Sequence, residues 1–89
     1  MRSLTDAVKT ILWEVKEIEV DEFMDKLYHY CWDRGIICLK WVLEDKGGKI
    51  QRFCTDAWKI IESMSRKGIL EIVEINGRKI IRVKRQVRH

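Results

Sequence analysis

Asn76-Gly77 stands between two six-residue runs, LEIVEI and RKIIRV, and few features of this chain leave the backbone less choice. Asn-Gly suits the two positive-φ positions of a type I′ turn, whose twist matches that of the strands it joins. A two-residue turn there places Ile75 opposite Arg78 and fixes every other pair. Leu70 then faces Val83, Ile72 faces Ile81 and Glu74 faces Lys79 on one side of the hairpin. Val73 faces Ile80 and Glu71 faces Arg82 on the other. The first side can close a core. The second sets opposite charges across from each other, worth about 0.2–1 kcal/mol per pair.

The residues before the hairpin read as helices. Leu4, Ala7, Val8, Ile11, Leu12, Val15 and Ile18 recur at steps of three and four. Ser3 followed by Asp6 resembles a capping box, so this helix is expected to start near Leu4. A second helix is expected over 20–35, with Asp21 as N-cap, Gly35 as stop, and Phe23, Met24, Leu27, Tyr28 and Cys31 facing inward. Ile36 to Leu39 suggests a brief extended segment, and the spacing of Cys38, Trp41 and Val42 a short helix after it. Gly47-Gly48 breaks that pattern. A third helix is expected over 50–67, buried through Phe53, Cys54, Ala57, Ile60, Ile61 and Met64 and ended by Gly68.

With 89 residues the chain has room for one domain and a modest core. It contains no proline and a single Asn, a balance compatible with a thermophile. No apolar run is long enough for a membrane span, and the N-terminus lacks the apolar segment of a secretion signal, so the expectation is a cytoplasmic protein with no membrane partner. Three cysteines without a CxxC pair, and only two histidines, do not match a zinc spacing. Buried thiols are expected, with no metal. No phosphate-binding glycine loop, nucleophile–base pair or carboxylate pair is recognisable, so neither enzymatic activity, cofactor nor small-molecule ligand is expected.

Charge is divided unevenly. Residues 1–45 hold ten acidic and six basic side chains, whereas residues 46–89 hold four acidic and twelve basic. That confines the excess of positive charge to one half of the domain, as a polyanionic partner would require.

The expected order is helix, helix, short helix, turn, helix, and then a hairpin with a basic second strand. It resembles the winged helix-turn-helix superfamily. The resemblance covers residues 20–85 and is carried by TDAWKIIESMSRKGILEIVEINGRKIIRVKR, in which Ala57, Ile60, Met64, Gly68, Ile69 and Leu70 have the superfamily's spacing. It implies an α+β fold of three to four helices with a C-terminal two-stranded antiparallel wing. Residues 1–19 would form an N-terminal helix, 20–85 the core and 86–89 a basic tail. The implied function is double-stranded DNA binding, as a homodimeric transcriptional regulator with helix 50–67 in the major groove and wing 70–84 on the backbone.

In that reading Lys46, Lys49, Gln51, Arg52, Thr55 and Lys59 serve the recognition helix and its turn. Arg78, Lys79, Arg82, Lys84, Arg85 and Arg88 serve the wing and tail. Gln can read adenine and Arg guanine, or either can hold phosphate. Asp56 and Glu62, on the outward side of the helix, depart from the pattern. Trp13 and Trp58 fall off their apolar stripes, and Leu4, Val8, Ile11 and Trp13 are the expected dimer interface. Tyr28, Tyr30, Trp32, Trp41 and Phe53 are expected in the core. The alternatives are a winged-helix module that binds a protein partner within a replication, transcription or membrane-remodelling assembly, and a non-specific architectural DNA binder.

Overall fold

The computed structural model describes residues 3–36 and 41–84. Helix α1 (Leu4–Val15) begins where the sequence predicts, with the Ser3 hydroxyl accepting the Asp6 N–H at 3.2 Å. It buries Ala7, Val8, Ile11 and Leu12. Lys16 ends it with a positive φ of 70°, and its N–H still bonds the Leu12 carbonyl. The reversal turns Ile18, expected on the helix, into the inward residue of a three-residue strand, β1 (Glu17–Glu19). Helix α2 (Val20–Arg34) follows with no loop between. Its N-cap is Glu19, without a side-chain bond, and Asp21 lies in the first turn instead of at the cap. Gly35 ends α2 in the left-handed region, as glycine without a Cβ readily does.

The largest departure from the sequence reading lies between α2 and the last helix. A second hairpin, β2 (Trp41–Lys46) and β3 (Lys49–Cys54), turns at Gly47-Gly48, both with positive φ. It replaces the expected short helix, of which Cys38 lies outside the described residues, and takes the first turn of the expected helix 50–67. Helix α3 (Thr55–Arg66) therefore starts five residues later. Cys54 is both the end of β3 and the N-cap of α3, its sulfur accepting the Ala57 N–H at 3.5 Å. Cys54 is disulfide-bonded, which corrects the expectation of thiols throughout; Cys31 is a free, buried thiol.

Strands β4 (Leu70–Ile75) and β5 (Arg78–Val83) pair in the register that the Asn-Gly turn dictates, from Leu70 with Val83 to Ile75 with Arg78. β5 also pairs with β1, giving a three-stranded antiparallel sheet in the order β1–β5–β4, while β2–β3 form a separate two-stranded sheet. The core lies between the three helices and the inner face of the larger sheet. Phe23, Leu12, Met24, Leu27, Ile61, Leu70 and Ile81 are its largest enclosed side chains. Each such burial contributes about 1.5–3 kcal/mol. The fold is α+β, with three helices and small antiparallel sheets among the described residues, and its element order is compatible with a winged-helix layout.

Candidate nucleic-acid interface

The predicted phosphate-binding residues of the hairpin cluster at its tip and along β5. Asn76 and Gly77 hold the two positive-φ positions, at 53° and 77°. Arg78 follows immediately, its Nε 3.4 Å from a Glu19 carboxylate oxygen on β1. Lys79 extends from the core side of the strand, and its ammonium lies 5.6 Å from the centre of the Trp58 ring. Arg82 sits between Glu17 and Glu71 at 3.0 and 3.1 Å, and these bonds raise its pKa further above the ordinary guanidinium value. Lys84 is exposed, and its N–H ties the end of β5 to the Ile69 carbonyl. Arg85 and Arg88 lie outside the described residues.

The residues predicted to read bases are placed differently from expectation. Gln51 and Arg52 are on strand β3, not on a helix. The Gln51 amide donates to the carbonyl oxygens of Asp21 and Arg52 at 3.1 and 3.2 Å. The Arg52 guanidinium lies 4.3 Å from the centre of the Tyr28 ring. Both side chains thus contact the protein's own α2. Lys46 is bound to Asp21 at 3.2 Å, while Lys49, across the Gly47-Gly48 turn, is exposed. Thr55 opens α3 with Asp56 beside it, both half-buried, and Lys59 is exposed one turn further on. A strand puts alternate residues on opposite faces, so Gln51 and Arg52 do not present one common reading face.

A groove of about 380 Å³ runs between the two hairpin tips. Val20 and Phe53 give it apolar contacts, and Glu19, Asp21, Glu44, Lys46, Arg78 and Lys79 line it as three carboxylates and three cations. Its formal charge cancels. The groove therefore offers no net attraction for a polyanion.

The expected dimer residues are not assembled into a free surface. Val8 is fully buried and Ile11 is 6% exposed, while Leu4 and Trp13 are half-buried against the same core. The apolar stripe of α1 serves its own domain. Trp58 is half-buried as well, with the Phe53 ring centre 6.0 Å away. The sequence reading also missed Trp32, expected in the core but 75% exposed, together with Leu43 and Ile50 on the second hairpin. Among the described residues no group of His, Cys, Asp or Glu is placed to hold a metal ion. No described helix is long and apolar enough to cross a membrane. Comparison with protein-family models, curated proteins and solved structures finds no match to this chain.

Proposed function

We propose that this chain is a double-stranded DNA-binding domain of winged-helix type, acting as a transcriptional regulator. The observation that carries the reading is the strand order β1–β5–β4, with α3 running through Gly68 directly into β4. The direct run of α3 into β4 and the Lys79 ammonium 5.6 Å from the Trp58 ring put a hairpin with a basic second strand beside the helix that precedes it, the relation of a wing to a recognition helix. The concentration of positive charge after residue 45 supports it.

In this reading the contacts are mainly to the backbone. Lys49, Lys59 and Lys84 meet phosphates directly, and the exposed Arg78 exchanges its half-buried carboxylate partner for one. Such an exchange is inexpensive, because exposed ion pairs contribute little in water. Base contact is confined to the start of α3, at Thr55, since Gln51 and Arg52 are engaged on α2. Arg82, held between two carboxylates, braces the sheet and takes no direct part. The second reading, a winged-helix module that binds a protein, is favoured by one observation, the cancelled charge of the groove between the tips.

Fluorescence anisotropy on a labelled duplex, repeated across salt concentrations, separates the two. Four phosphate contacts give a slope of log K against log salt of about −3.6, and replacing Lys49 or Lys59 by Ala lowers it by roughly one. Absence of binding at about 50 mM salt, where phosphate contacts are strong, would leave the protein-binding module.

A further inference from the structure

We propose that one face of the β2–β3 hairpin, continued by the C-terminal half of α2, is a homodimer interface. The pairing of the strands puts Trp41, Leu43 and Asp45 on the same face as Cys54, Arg52 and Ile50. Leu43 is 63% exposed and Ile50 is 59% exposed. They lie on a cross-strand diagonal, within reach of each other. The apolar surface continues onto α2 through Tyr28. The Tyr28 ring meets Trp41 edge-on at 5.3 Å and stacks on Trp32 at 6.4 Å, and Trp32 is 75% exposed.

Single exposed apolar residues are ordinary on a protein surface, but a connected strip of them is not. The exposed parts of Trp32, Leu43 and Ile50 together amount to roughly 400 Å², close to the apolar share of the 800 Å² that each partner contributes to a standard interface. The composition is also that of an interface centre, with aromatic rings, aliphatic side chains and an Arg laid on a ring. A polyanion gains nothing from Trp32, Leu43 and Ile50, whose side chains offer it no positive charge. A second copy of the chain does. The face bears one acid, Asp45, and one base, Arg52, so two like faces related by a two-fold axis meet without net repulsion.

The homodimer is thus moved from α1, whose stripe is used up within the domain, to the second hairpin. This inference does not rest on the DNA-binding reading. Sedimentation equilibrium on the full chain, without DNA, tests it. The expected result is a dimer by about 200 µM, weakened at least about 30-fold by Leu43→Glu and likewise by Ile50→Lys, the effect of losing a central anchor. Both positions are exposed, so circular dichroism is expected to show an unchanged fold. Trp13→Phe, on α1, is expected to leave the dimer intact. A chain that stays monomeric throughout, or a dimer equally tight in both hairpin variants, overturns the proposal.

Discussion

Phe23 has no exposed surface and sits among Leu12, Met24, Leu27 and Ile61 in the shared core of helices and sheet. Removing its ring leaves a cavity that the surrounding helices can only partly fill. Phe23→Ala is expected to cost about 3–5 kcal/mol, read as a lowered midpoint in urea unfolding. Cys31, nearby on α2, is 3% exposed, and burial pushes its thiol above the ordinary value near 9. The folded chain thus keeps this thiol protonated where the unfolded chain has begun to ionise it. Below pH 9 both states carry the proton and stability does not depend on it. As pH rises past 9 and through the folded-state value, the unfolded state gains and stability falls. Native Cys31 is accordingly expected to resist alkylation at neutral pH and to react once urea unfolds the chain, a difference that mass spectrometry can follow.

The two hairpins show what the sequence makes legible at the scale of an element. Asn76-Gly77 leaves one turn type and hence one register, and all six predicted pairs of β4 and β5 are present. Gly77, at φ 77°, meets no atom that a Cβ would strike, so the penalty of a side chain there is conformational. Gly77→Ala is expected to cost about 1–2 kcal/mol by thermal unfolding, the cost of forcing an L-residue into the left-handed region. Gly47-Gly48 carries the same kind of signal between WVLEDK and KIQRFC, yet competing periods obscure it. Phe53, Cys54 and Ala57 fit a helical stripe, while Ile50, Arg52 and Cys54 fit a strand face, and Cys54 belongs to both patterns. Short apolar runs allow either reading until their tertiary partners are known. β1 escaped the sequence reading for a similar reason. Ile18 continues the α1 stripe, and nothing in Lys16 announces its positive φ.

At the scale of the whole molecule, charge and apolar surface meet on the second hairpin. Lys46 and Lys49 flank its turn, and the strip from Trp32 to Ile50 runs from α2 up to the residue beside Lys49. The charge split was legible from composition and the Glu71–Arg82 pair from the hairpin register, but the internal use of Gln51 and Arg52, and the second partner of Arg82, were not, because Asp21, Tyr28 and Glu17 lie on other elements far along the chain. If two copies associate through the strip, folding and association are linked. The wild-type Tm is then expected to rise with protein concentration, whereas that of Leu43→Glu stays constant in the same calorimetric series. The junctions between elements have a further consequence for engineering. β1 runs into α2 at Glu19–Val20 and β3 into α3 at Cys54–Thr55, without a spare residue at either place. One residue added at the second junction would rotate α3 by about 100° and swing Ala57, Ile61 and Met64 away from their partners. Added residues are absorbed instead at Gly47-Gly48, where the chain turns in open solvent outside the core.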